Sequence, residues 1–194
     1  NVQSNSCSSS GHVSTNASRR KCGTFRKKIN MRKIFLLLLI CIFFSGCEKD
    51  DICDATTATT PKVVIEFFDT VATTTAKNVT NLKITAAGFT SELKFNAVSK
   101  ITVPLKTFTD VSALNFTLNG SDTDLTNDNL DEITFNYTRR TEYVSRACGY
   151  KTLYTLDATN PVTVTPDANN WIQNVIVSQP NIENENETHV KIYF

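Results

Sequence analysis

The chain of 194 residues carries 20 Lys/Arg against 19 Asp/Glu and is 40% hydrophobic, enough for one domain with its own core. The near-zero balance conceals a split: residues 1–46 hold eight basic and no acidic side chains, whereas residues 47–194 hold twelve basic and nineteen acidic, 12 − 19 = −7. An acidic body excludes nucleic acid and anionic lipid as partners for its charge, because both select basic surfaces.

Residues 1–30 begin with Asn, hold seven serines and show no apolar periodicity. They read as a stretch upstream of the true start at Met31, the alternative being a short cytosolic tail ahead of an anchor. Met31-Arg32-Lys33, the eleven-residue run IFLLLLICIFF and Ser45-Gly46 then supply the basic, apolar and small-residue parts of a secretory signal over residues 31–46. At about 1.5 Å per residue such a run covers only half of a hydrocarbon core about 30 Å thick, so a stable transmembrane helix is not expected. Phe44-Ser45-Gly46-Cys47 resembles a bacterial lipobox, although Phe44 stands where Leu is usual. The resemblance implies that Cys47 is diacylated on sulfur and acylated on its amine, with chains of the palmitate class. Several chains, at about 0.8 kcal/mol per buried methylene, hold a protein on a membrane far better than one myristoyl group does. The competing reading is an ordinary signal or N-terminal anchor with Cys47 a bystander.

Of six cysteines, Cys7 and Cys22 lie in the upstream stretch, Cys41 in the apolar run, and Cys47 at the lipid position. Cys53 and Cys148 remain, and in an exported chain the simplest outcome is one disulfide between them. Two buried thiols or a metal pair are the alternatives. Between Cys47 and Cys53, Lys49-Asp50-Asp51 resembles the signal that exports lipoproteins of Bacteroidota to the outer face of the outer membrane. Surface display is accordingly favoured over a periplasm-facing location, against the plainer reading of a solvated linker. Ala and Thr alone fill residues 55–60, so residues 47–60 form a tether.

From Pro61 the pattern has a period of two. Leu82/Ile84, Leu93/Phe95, Ile101/Val103/Leu105, Leu114/Phe116/Leu118 and Ile133/Phe135/Tyr137 alternate with polar residues, placing one face in a core. Further strands are expected over residues 62–69, 151–157, 171–178 and 188–194, separated by turn signals such as Ala87-Gly88, Asn119-Gly120 and Asn160-Pro161. The first, VVIEFF, is apolar on both faces apart from Glu66 and reads as a central strand. Pro104 belongs at an edge or bulge. About nine strands over residues 61–194 predict an all-β domain, a single antiparallel sandwich of immunoglobulin-like kind, with a closed barrel as the alternative.

Chemistry is sparse. His189, the only histidine after the signal, reads as an outward-facing residue of the last strand, and no Gly-x-Ser-x-Gly elbow accompanies it. Asp122, Asp124, Asp128, Asp131 and Glu132 read as a solvated acidic loop: an EF-hand's central Gly is missing and Ile133 stands where its bidentate Glu would fall. Glu66 lacks a recognisable partner carboxylate for acid catalysis. Arg139, Arg140 and Arg146 read as a charged hairpin tip, with an acidic-ligand dock as the rival, and Tyr143, Tyr150, Tyr154 and Trp171 as core rather than a sugar platform. Asp69-Thr70-Val71 matches a short O-glycosylation motif associated with Bacteroidota, making Thr70 a candidate acceptor. No catalytic residue, metal ligand or cofactor is expected.

The order of these features from Met31 onward is similar to one small family of Bacteroidota lipoproteins that carries a domain of unknown function. The likeness rests on the Cys47 lipobox with Cys53 after it, the PKVVIEFFD strand, the YVSRACGY segment at residues 143–150 and the terminal HVKIYF. It implies an outer-membrane lipoprotein and supplies no activity. The expected role is therefore a non-catalytic binding or accessory module of the cell envelope, held to the membrane through Cys47 and meeting an envelope protein or glycan. The alternatives are a hydrolase of envelope glycans or peptides and a structural partner of an outer-membrane complex.

Overall fold

The computed structural model describes residues 32, 35 and 52–194. Cys47, Lys49, Asp50 and Asp51 lie outside the described residues, as do residues 1–30 and all of the expected signal except the helical Arg32 and Phe35. Among the described residues no helix is long and apolar enough to cross a membrane. The β-domain falls within the second of two units, Glu48–Phe194.

Eleven strands form this domain: β1 (Val63–Phe68), β2 (Leu82–Ala86), β3 (Leu93–Phe95), β4 (Lys100–Val103), β5 (Val111–Leu118), β6 (Asn129–Ser145), β7 (Gly149–Leu156), β8 (Val162–Val164), β9 (Asn174–Val177), β10 (Asn181–Ile182) and β11 (Val190–Tyr193). One sheet has the order β4-β1-β11-β9; the other runs β10-β7-β6-β5-β2-β3, with β8 also paired to β6. Both sheets keep free edges, so the architecture is a sandwich and not the alternative barrel. Alternation explains the join. Val63, Ile65 and Phe67 of the first sheet and Ile84, Phe116, Ile133 and Phe135 of the second belong to one buried cluster. Each such side chain contributes about 1.5–3 kcal/mol by leaving water.

Strand β1 is central, as its composition predicts, with β4 antiparallel on one side and β11 on the other. The β1–β11 pairing is parallel, with Ile65 opposite Val190 and Phe67 opposite Ile192, which corrects the expectation of a wholly antiparallel sandwich. Parallel neighbours need a long crossover, and here it comprises almost the whole domain. Two of the eleven strands also escape the pattern. Strand β8 is three residues between two prolines and β10 is a two-residue pairing with Tyr154 and Thr155, both too short to show periodicity. Pro104 follows edge strand β4, where its missing N–H interrupts no ladder. The segment expected to begin a strand at Trp171 first turns inward: Trp171 Nε1 donates to Phe116 O at 3.2 Å, and Ile172 N donates to Asp131 Oδ2 at 2.8 Å. Trp171 thereby ties the second sheet to Phe194, whose ring it meets edge-on at 5.3 Å.

Strand β6, 17 residues long, has two kinds of neighbour. Residues Asn129–Asn136 pair with β5, whereas Tyr137–Ser145 pair with β7 alone and stand out as a hairpin. At its tip Gly149 adopts φ 72°, a conformation open to glycine, and Cys148 N donates to Ser145 Oγ at 3.0 Å. Cys148 is bonded to Cys53 with Cα atoms 4.9 Å apart, so the tether begins at the hairpin tip. Thr152 N then donates to Thr60 Oγ1 at 3.0 Å, holding the tether beside β7 until Pro61 enters the core.

The bridge closes a loop of 95 residues, for which the chain-entropy account gives up to about 4–5 kcal/mol. Because neither cysteine belongs to the core cluster, a Cys53→Ser/Cys148→Ser variant is expected to keep its strands and lose about 2–4 kcal/mol in urea unfolding. An unchanged midpoint would show that the tether adds nothing to the fold.

Candidate functional site: an apolar groove at the tether end

Strands β2 and β4 end, and β5 begins, on the same side of the sandwich as the β6–β7 hairpin, because Ala86 lies opposite Leu114, Val103 opposite Val63, and Val111 opposite Asn136. There the two sheets part around a groove of about 500 Å3, within the range of small-molecule sites. Ile84, Val103 and Leu114 make its floor; Leu93, Pro104 and Leu105 make its sides. Phe89 and Phe108, 62% and 91% exposed, stand at the mouth with Lys106, whose Nζ lies 6.0 Å from the Phe89 ring centre. The arrangement suits an apolar body bearing one negative group.

Side-chain hydroxyls hold the wall made by residues 104–110, with one backbone bond, from Tyr137 N to Asp110 O at 3.0 Å, at its end. Tyr137 Oη donates to Lys106 O at 2.8 Å, so its contact with Ser112 Oγ at 2.7 Å takes the serine proton. Lys106 N donates back to Ser112 Oγ at 2.9 Å, completing a closed set. Tyr154 Oη donates to Leu105 O at 3.3 Å, and its ring meets Tyr137 edge-on at 5.1 Å. Burial raises the Tyr137 pKa above the usual phenol range. It also pushes Tyr154 up to about 12, with Tyr137 nearby adding to the rise, so both remain donors. Outside, Arg139 Nε donates to Asp110 Oδ1 at 2.6 Å and its terminal nitrogen to Thr107 O at 2.7 Å.

The residues singled out from the sequence are dispersed. His189 is 1% exposed rather than outward-facing: its Nδ1 accepts from Val64 N at 2.9 Å, a structural bond inside the sandwich. Glu66 is half-buried and accepts from Thr188 Oγ1 at 3.0 Å. The acidic stretch is not one loop. Asp122 and Asp124 accept from backbone N–H groups two residues ahead, forming turns, whereas Asp131 lies in β6 and is fully buried. Asp131 Oδ1 has no hydrogen-bond partner among the described residues, and burial raises its pKa. Arg139 and Arg140 lie within β6, not at a tip, and Arg140 contacts Glu183 at 2.9 Å; only Arg146 is in the hairpin turn. Tyr154 and Trp171 are core, but Tyr143 and Tyr150 are an exposed pair. Thr70 is exposed after β1, beside Asp69, whose Oδ1 accepts from Val71 N at 2.8 Å. One sequence signal marks the groove: Phe89 and Phe108 stand alone among polar turn residues.

Removing one hydroxyl tests the wall. Tyr137→Phe strands Lys106 O and the Ser112 hydroxyl, and is expected to cost about 1–3 kcal/mol in urea unfolding. Tyr154→Phe, losing one long bond, should cost less. Protonation tests the interior. Burial, opposed more weakly by Glu187 and Glu185, lowers the His189 pKa from 6.5, so on acidification the unfolded chain takes the proton first. This contribution is full above about pH 6.5 and is lost as pH falls through the folded value. Thermal melts from pH 7 to 5 should fall more steeply for the wild type than for His189→Asn; parallel curves would remove His189 as the cause.

Comparison with curated proteins and with solved structures returns no match. Residues 81–194, from just before β2 through β11 and including every groove-lining side chain, match the family of unknown function DUF6452, and the chain belongs to that family.

Proposed function

We propose that the protein is a lipid-anchored module of the cell envelope that binds an apolar ligand in the groove between its sheets and carries out no reaction. The groove carries this reading. Its volume of about 500 Å3 is walled by aliphatic side chains held open by buried hydrogen bonds, with a cation at the mouth. A preformed apolar cleft with one charged group favours binding of an amphipathic anion. The envelope location is supported by separate observations: the Phe-Ser-Gly-Cys run after a short apolar segment, and a cysteine pair bonded in a manner that oxidising compartments preserve. Anchoring through acyl groups on Cys47, outer-membrane residence and surface display through Lys49-Asp50-Asp51, within Bacteroidota, extend the same reading. Its ligand would belong to an envelope lipid, glycan or protein bearing an apolar part.

Anilinonaphthalene sulfonate, an apolar ring system with one negative group, is a direct probe. Wild-type protein is expected to bind it, and Ala86→Phe, which fills the groove, to bind about tenfold more weakly, a loss of about 1.4 kcal/mol, with an unchanged urea midpoint. Equal affinity would overturn the groove as a ligand site. Mass spectrometry of the membrane-extracted chain should find acyl groups on Cys47, and protease added to intact cells should remove the domain.

A further inference from the structure

The β6–β7 hairpin extends well past β5. Strand β6 runs nine residues beyond Asn136, the last position opposite β5 (145 − 136), about 30 Å of extended chain at about 3.4 Å per residue. Near its tip Tyr143 and Tyr150 lie opposite each other, 54% and 69% exposed, with ring centres 5.3 Å apart at 64°. The β-bulge between Tyr143 and Ser145, the Gly149 turn and the Cys53–Cys148 bridge hold this tip in one shape.

A chain anchored at Cys47 has only six residue steps to Cys53 (53 − 47), at most about 22 Å. Without the bridge, the nearest fixed point is Thr60, thirteen steps away (60 − 47), or at most about 47 Å. The disulfide thus halves the length of chain between the anchor and the fold, and that shortened leash ends at the hairpin tip. We propose that this tip rests in the headgroup region of the anchoring bilayer, with Tyr143 and Tyr150 as its interfacial contacts; the inference rests on the lipid-anchor reading of Cys47. Tyrosine suits that position because its ring is apolar and its hydroxyl stays wet. Such a contact need only be weak, since a short leash gives an effective concentration of about millimolar. The acidic balance of the body, 12 − 19 = −7, keeps the rest of the domain from spreading over an anionic surface, leaving the tip as the contact.

The test uses the full chain, produced in a Gram-negative host, extracted from membranes, checked for acylation of Cys47 by mass spectrometry and reconstituted in phosphatidylcholine vesicles. Tyr150→Trp reports on the tip and Leu125→Trp on the β5–β6 loop at the other end of β6; both sites are exposed, and buried Trp171 provides a constant background. Replacing ordinary lipid by lipid brominated near the headgroup should quench the emission added by Tyr150→Trp and leave that of Leu125→Trp unchanged. Cys53→Ser/Cys148→Ser should abolish most of the quenching at position 150. Acylated protein with no quenching at 150, or equal quenching at 150 and 125, would overturn tip docking while leaving the anchor intact. A blue-shifted but unquenched Trp at 150 would put a second copy of the chain on the tip and overturn it also. Cys47 free of lipid would defeat the anchor reading, and this inference with it.

Discussion

The structure depends on one strand that changes partners. Over its first half β6 is a core strand, with Ile133 and Phe135 packed against the facing sheet and β5 and β8 on its two edges. Over its second half it has β7 alone, and its hydrogen bonds continue after the hydrophobic contacts have stopped. Tyr137 stands at the changeover. Its ring is still core, but its hydroxyl turns to the backbone of residues 104–110, and that bond positions the segment forming one side of the groove. The next inward position, Arg139, meets Asp110 and a carbonyl rather than a side-chain core. One continuous ladder therefore supplies core, groove wall and hairpin in succession.

Keeping an apolar groove open requires a scaffold that does not collapse into it. Ladder hydrogen bonds reach residues 104–110 at one end, where Tyr137 N donates to Asp110 O at 3.0 Å, because β4 stops at Val103 and no strand follows until Val111. The closed set among Lys106, Ser112 and Tyr137 substitutes for a ladder, and burial keeps the phenols protonated over any physiological pH. Fully satisfied buried networks specify a single arrangement because any alternative leaves a polar group unpaired.

Alternation in the sequence located five of the strands, and composition with turn signals four more, and together they indicated the two-layer architecture and most of the core, because residues such as Ile84, Phe116 and Ile133 alternate with polar neighbours. The same rule, carried one step back from Ile133, places Asp131 inside; its charge argued for a loop, and burial with a bond from Ile172 prevailed. His189 marks a real limit. Its position alternates with buried Val190 and so predicts exposure, but the backbone N–H of Val64, on the distant first strand, reaches its ring. Parallel pairing of β1 with β11 was equally invisible, since strand direction leaves no trace in local pattern. The groove depends on where two sheets part, a property of neither sheet alone. The Cys53–Cys148 pairing was legible because removing the cysteines with other assignments left two.

The parallel contact between β1 and β11 bears on the order in which the domain can form. Position 190 is made 125 residues after position 65, its partner in the ladder, and until then β1 has only β4 beside it. Contacts so remote along the chain are late and slow to form. The first sheet thus stays incomplete until β11, the last of its four strands in chain order, has been made, and a chain held open at its centre until its final residues gains its full ladder in one late step.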